Sequence, residues 1–182
     1  MCSSDLRLGL DEYDIVKAEP GPYTLEVSNG NSDAFQELWS MANSVAAAST
    51  QAQRYAIFMQ MQGLNPDGTR NPEYDVLLDT RNLVDYMLTI LYGGNLDAPI
   101  SNFIGNIGIT NWYGIRNRNG ETGFLFFVHD SEHTLLNVNE NRTGPYQSGS
   151  SFDRANPQWI HQQLMYSDEY RMQFADRVQE VM

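Results

Sequence analysis

The sequence predicts an α+β domain, mostly helical, with one central β-hairpin. Apolar residues recur at helical spacing over several segments, and two short aromatic and β-branched runs flank Asn119-Gly120, the strongest short-range hairpin signal. At 182 residues and 41% hydrophobic content, the chain has material for one domain with a sizeable core, not two.

From about Leu8 to Lys17, "LGLDEYDIVK" reads as an extended segment that the turn "EPGP", Glu19 to Pro22, brings to an end. "SNGNSD" then leads into a helix with Asp33 as its cap and Gln36 three residues on, and with Phe35, Leu38, Trp39, Ala42 and Val45 on one face. A second helix spans roughly Gln51 to Gln62, and "LNPDGTRNP" from Leu64 to Pro72 is a loop. The strongest helical pattern runs from about Asp79 to Tyr92. It is apolar on nearly all sides and therefore predicted to be central and buried. Asp85 is the exception within it, read either as a partly exposed or backbone-paired acid or as a brace for the polar loop that follows.

That loop, "GGNLDAPISNFIGNIGITN", joins the buried helix to the hairpin strands "NWYGIRNR" and "GFLFFV", which lie between about Thr110 and Val128. A long polar connection, Asn137 to Arg154, follows. Two helices close the chain, one opened by Asn156-Pro157 and one by Ser167 with Asp168 and Glu169 in its first turn. On the last, Tyr170, Phe174, Val178 and Val181 form a stripe that reads as core.

Charge narrows the partners. There are 23 acids against 11 bases, a formal net charge of -12, and no cluster of Lys or Arg, so a nucleic-acid backbone is excluded as the natural partner. Ten of the bases are arginine and Lys17 is the only lysine. No apolar run approaches the ~18 residues of a membrane span. "MCSSDL" matches what the end of a common sequencing adapter would encode, so residues 1–7 read as a scar and leader outside the fold. Cys2, the sole cysteine, then brings no disulfide chemistry.

Chemistry concentrates in "GFLFFVHDSEHTLLN", Gly123 to Asn137. His129, Glu132 and His133 spell H-x-x-E-H, the pattern of inverted zinc peptidases. That pattern requires both histidines on one helical face, whereas the run before His129 has the texture of a strand, and His161, the remaining histidine, lies in a separate helix. "NVNEN" has calcium-loop spacing at Asn137, Asn139 and Asn141, but Arg142 stands where glycine is required. The reading preferred here centres on Asp130. A carboxylate directly after a buried strand projects into a cleft, as the metal-binding aspartate of kinases does, and Asp97 with Asn102 has the D-x-x-x-x-N spacing of a kinase catalytic loop.

Taken in order, "EYDIVK", "LVDYMLTILYGGNLDAP", "NWYGIRNR", "GFLFFVHDSEHTL" and "NPQWIHQQLMYSDEYRMQFADRV" resemble the CotH kinase family, proteins similar to the spore coat protein H kinase. The resemblance runs from about Gly9 onward and is most specific between Asp85 and Leu135. It implies the large-lobe portion of a divergent protein-kinase-like fold, transferring phosphate from ATP to Ser or Thr of a partner protein with Mg²⁺ or Mn²⁺. Asp97 would be the catalytic aspartate and Asp130 a metal ligand. Asn102 keeps the family's spacing and Asn111 its strand context, so either is a candidate second ligand. Glu132 stands where the family commonly has aspartate. Asp85, Asn95, His129 and His133 would be supporting residues. A kinase-type site also needs a lysine and a strand-rich lobe over the adenine, and Lys17 sits in a segment that in the family follows that lobe. Residues 8–182 are therefore expected to be a partial domain, inactive alone and holding no cofactor tightly. The alternatives are a catalytically inactive binding or scaffold module and, more distantly, the zinc peptidase.

Overall fold

A computed structural model of the protein describes residues 12–120 and 122–181. The expected scar at residues 1–7 and the start of the first extended segment lie outside them. The elements are β1 (Tyr13–Glu19), β2 (Thr24–Asn29), α1 (Asp33–Ala47), α2 (Gln51–Met61), α3 (Thr80–Gly93), β3 (Trp112–Asn117), β4 (Leu125–Val128), α4 (Pro157–Leu164) and α5 (Asp168–Val181), with short 3₁₀ turns at Asn102–Ile104 and Phe152–Arg154. Helix accounts for 41% of the described residues and strand for 20%, an α+β fold dominated by its helices.

The single hairpin expected from the sequence is one half of a four-stranded antiparallel sheet, ordered β2-β1-β3-β4. β1 turns back through residues 20–23 into β2, a strand whose "TLEVSN" is short, half-exposed and lacks a clean alternation. β1 then pairs with β3 across the sheet. The connection from β3 to β4 is longer than the tight turn that Asn119-Gly120 suggested: β3 ends at Asn117 and β4 starts at Leu125.

One face of the sheet is core. Val16, Ala18, Trp112 and Phe126 are buried there, as the period of two along a strand dictates. α1 covers it with Phe35, Leu38, Ala42 and Val45, and the Phe35 ring lies 5.2 Å from Phe124 and 5.7 Å from Trp112. The opposite face carries Lys17 and Tyr113 and stays partly open. The cap of α1 differs from expectation. Ser32 holds the N-cap position and Asp33 falls inside the first turn, where its charge still favours the positive end of the helix.

α3 is the central helix, with Leu83, Val84, Tyr86, Met87, Leu88 and Ile90 buried. Asp79 caps its start by accepting from the Asn82 amide, and Asn82 in turn reaches the edge strand β4. Its side-chain amide accepts from the Phe126 N–H at 2.5 Å and donates to the Phe126 carbonyl at 3.3 Å. Asp85 does not brace the loop after the helix: its carboxylate is held by Arg177 of α5, at 2.6 and 3.2 Å. Tyr170 of the α5 stripe is fully buried, Phe174 and Val178 pack against the core, and Val181 is exposed. Among the described residues no helix is long and apolar enough to cross a membrane.

Gly123 sits where the chain before β4 crosses under residues 77–79. A Cβ there would lie 2.2 Å from the Leu78 nitrogen and 2.5 Å from the Leu77 carbonyl carbon, and backbone cannot yield as a side chain can. Gly123→Ala is expected to destabilise the fold by about 3 kcal/mol or more, read as a fall in the urea midpoint.

His161 gives the fold an acid limit. Its ring is buried, its Nδ1 lies 2.8 Å from the Tyr170 hydroxyl, and burial lowers its pKa from 6.5 to about 4. Between those values the unfolded chain binds a proton that the folded chain refuses. Stability is therefore full above pH 6.5 and falls as pH drops toward 4, by about 3 kcal/mol in all. His161→Gln is expected to flatten that part of the stability profile, checked by denaturant titrations across the interval.

Candidate functional site

The end of the buried helix sets the first candidate residue in place. α3 closes on Gly94 in the left-handed conformation, φ 57°, with its N–H on the Ile90 and Leu91 carbonyls. The next residue, Asn95, is fully buried. Its Oδ1 accepts from the Asp97 N–H at 2.8 Å, which fixes the backbone of Asp97 and makes Asn95 a support for it.

Asp97 is gripped from the other side by the residues that enter β3. The Thr110 hydroxyl donates to the Asp97 carbonyl at 2.7 Å, and Asn111 Nδ2 donates to Asp97 Oδ2 at 3.0 Å. Asn111 is also tied to the end of β4, because its carbonyl accepts from the His129 N–H at 3.1 Å. Asp130 comes next in the chain. Both Asn111 and Asp130 have left-handed backbones, φ 52° and 48°, a region that Asn and Asp enter more readily than other non-glycine residues. The mouth of the hairpin thus carries Asp97 and Asn111 in contact, with Asp130 exposed beside His129.

The remaining candidates separate clearly. Asn102 lies exposed in a 3₁₀ turn, where its backbone N–H bonds to the Leu96 carbonyl and its side chain makes no hydrogen bond among the described residues. Of the two asparagines, the one whose side chain meets Asp97 is Asn111. Glu132 Oε1 lies 3.3 Å from His133 Nε2, and the His133 ring stands edge-on to Phe103 at 4.8 Å. The His133 carbonyl accepts from the Leu96 N–H, which brings this loop up against the Asp97 segment. His129 packs edge-on to Tyr113 at 5.3 Å. Residues 129–137 contain no helix, so H-x-x-E-H lacks the common face that a zinc peptidase needs. Among the described residues no three His, Cys, Asp or Glu side chains gather closely enough to hold a metal.

Lys17, placed apart from the site on sequence grounds, lines the same cleft as Asp97, Asn111, Tyr113 and His129, a space of about 270 Å³. Strand register puts it there, since Lys17 stands opposite Tyr113 in the β1–β3 pairing and its ammonium lies 6.0 Å from that ring. Glu26 of β2 pairs with it at 3.2 Å. "YDIVK" and "NWYGIRNR" each read as extended from sequence, but nothing in either shows that the two pair, so the proximity of Lys17 to Asp97 has no local sequence marker. The cleft therefore combines a fixed carboxylate, an amide, an imidazole and a paired lysine. Such a set can orient a hydroxyl, accept its proton and hold a hard cation or an anion.

Comparison with known proteins finds no matching family model, no matching curated protein and no matching solved structure.

The three asparagines are expected to respond differently to truncation. Asn95→Ala empties a fully buried position and removes the partner of the part-buried Asp97 N–H, and should cost about 1–3 kcal/mol. Asn111→Ala removes a half-exposed bond and should cost about 1 kcal/mol, while Asn102→Ala should stay within about 0.5 kcal/mol. Urea denaturation of the three variants reads this order directly.

Proposed function

We propose that these residues form the metal and acceptor side of a CotH-like phosphotransferase, part of a longer protein that moves phosphate from ATP to Ser or Thr of a partner protein. The observation that carries the reading is the hydrogen bond of Asn111 to Asp97, made at the same hairpin mouth from which Asp130 emerges. The order of these residues along the chain, buried helix, aspartate loop, hairpin, aspartate, is that of a kinase large lobe.

The donor set fits Mg²⁺ or Mn²⁺ better than a structural metal. Asp97, Asp130 and the Asn111 Oδ1 are hard oxygens, too few for a closed cage but suited to an ion that keeps waters and phosphate oxygens. When bound, such an ion neutralises charge on the transferred group.

In this reading Asp97 accepts a hydrogen bond from the acceptor hydroxyl and takes its proton as the new Oγ–Pγ bond forms and the Pγ–Oβ bond to departing ADP breaks. Asn95 and Thr110 fix the Asp97 backbone, and Asn111 at 3.0 Å with the Thr110 hydroxyl at 3.4 Å orients its carboxylate, so little reordering is needed at reaction. Lys17 offers a cation for phosphate oxygens at the same cleft. The cleft's 270 Å³ falls below the ~300–1,000 Å³ of pockets that enclose drug-sized ligands, enough for a phosphate group and metal. The adenine is assigned to additional sequence.

The test uses the longer protein and this chain side by side. The longer protein should label a Ser-bearing acceptor from radiolabelled ATP, with Asp130→Asn abolishing transfer and Asp97→Asn lowering it by about 10²–10⁴-fold. Calorimetry on this chain alone should show weak Mg²⁺ or Mn²⁺ binding and no transfer. Micromolar ATP affinity with transfer by this chain would place the nucleotide site within it. No transfer by the longer protein would instead make the fold an inactive binding or scaffold module.

A further inference from the structure

A second cavity, of about 600 Å³, lies away from the hairpin mouth, between the segment around Gly144–Gln147 and α4 with the turn into α5. Among the described residues no Asp, Glu, Lys or Arg lines it, which sets it apart in a chain with 23 acids. Its walls are rings, among them Tyr146, Trp159 and Tyr166. Trp159 and Tyr166 are held by contacts made outside the cavity; Tyr146 is held through its backbone by Gln162, itself a lining residue, and its ring lies 5.3 Å from the Arg142 guanidinium. The Gln162 amide accepts from the Tyr146 N–H at 2.8 Å and donates to the Tyr146 carbonyl at 2.9 Å. Trp159 Nε1 donates to Asn43 at 2.9 Å, and the Arg54 guanidinium stacks 5.7 Å from the Tyr166 ring. Rings fixed in advance lose little freedom on binding.

Unused polar groups share the cavity with those rings. The side-chain amides of Gln147 and Gln163 make no hydrogen bond among the described residues, and neither does Nε2 of His161, a residue only 7% exposed. Burial keeps this imidazole neutral at physiological pH, so the site presents hydrogen-bonding capacity without charge.

Three ligand classes can be weighed on that lining. A charged ligand would lose its hydration and gain no counter-charge. A wholly apolar ligand would fill the volume but leave the His161 nitrogen and both amides unpaired. An uncharged ring with apolar faces and hydroxyl edges satisfies both: its C–H faces stack on the aromatic walls, and its hydroxyls both donate and accept.

We infer that this cavity binds a pyranose unit of a neutral glycan, stacked on the aromatic walls and held at its edges by Gln147, Gln163 and His161. The inference does not depend on the phosphotransferase reading, because the two sites share no lining residue.

The probes are neutral trisaccharides built of glucose, xylose and N-acetylglucosamine, with adenosine as a flat uncharged comparator, followed by tryptophan fluorescence and calorimetry on the whole chain. At least one trisaccharide is expected to bind with a Kd below about 1 mM, equally at low and high salt because no charge is engaged. Gln163→Ala and Tyr166→Ala, both at partly exposed positions, should each weaken it by about tenfold. Circular dichroism and thermal melts confirm that the variants remain folded. The inference is overturned if no trisaccharide binds, if adenosine binds and the sugars do not, if affinity falls with salt, or if both folded variants bind like the parent chain.

Discussion

The buried pair of Asp14 and Arg116 sets the register on which the sheet and the cleft both depend. The two residues stand opposite each other on β1 and β3, with side chains 2% and 9% exposed and charged atoms 3.9 Å apart. Arg116 also reaches Asp75 and the Val76 carbonyl, and Asp14 accepts from the Asn31 N–H. A pair of this kind adds little net stability over an apolar one, yet stranding either partner costs about 3–5 kcal/mol. A slip of one residue would strand both. Because the period of a strand is two, a slip by one residue would also turn Lys17 from the open face into the core. The charged pair three positions away on β1 thus helps hold the face on which the lysine meets Asp97 in the cleft.

The same economy explains how so acidic a chain folds around so few bases. Arg116 and Arg142 are buried among carbonyls and acids, the latter reaching Asn106 and the Ile100 carbonyl while its own carbonyl accepts from Gln158. Arg177 ties α3 to α5, and Arg154 holds the Ile107 carbonyl. Each of these cations is occupied in joining one segment to another. The surface is left acidic, and the polar loops between α3 and β3 and between β4 and α4 are anchored by long arginine side chains in place of regular structure.

Local patterns carried much of this fold and little of its assembly. The face of α1, the all-round apolar α3, the Asn156-Pro157 helix start and both strands of the β3–β4 hairpin are each written in a few adjacent residues, and all lie where the sequence places them. β2 was invisible because "TLEVSN" is short and half-exposed, and its strand character comes from pairing with β1. Asp85 reads from sequence either as a partly exposed or backbone-paired acid or as a brace for the next loop; it is partly exposed, and nothing nearby in sequence shows that Arg177 lies against it. In the site, the choice between Asn102 and Asn111 could not be made from spacing. It follows from the loop's path, in which Asn102 is drawn onto the Leu96 carbonyl while Asn111 faces Asp97. Long-range pairing decides each of these points, and pairing leaves no mark on the residues around it.

The amide of Asn82 has a bearing on how the molecule avoids its neighbours. β4 is an edge strand of apolar, aromatic composition, the kind that recruits another chain into a growing sheet. By taking both the N–H and the carbonyl of Phe126, one side chain from α3 occupies the middle of that edge as a strand from another molecule would. Four residues of "LFFV" then offer no uninterrupted ladder to a second copy. The protection is intramolecular and present only once α3 has docked, so the interval of greatest exposure to aggregation is the part of folding that precedes it.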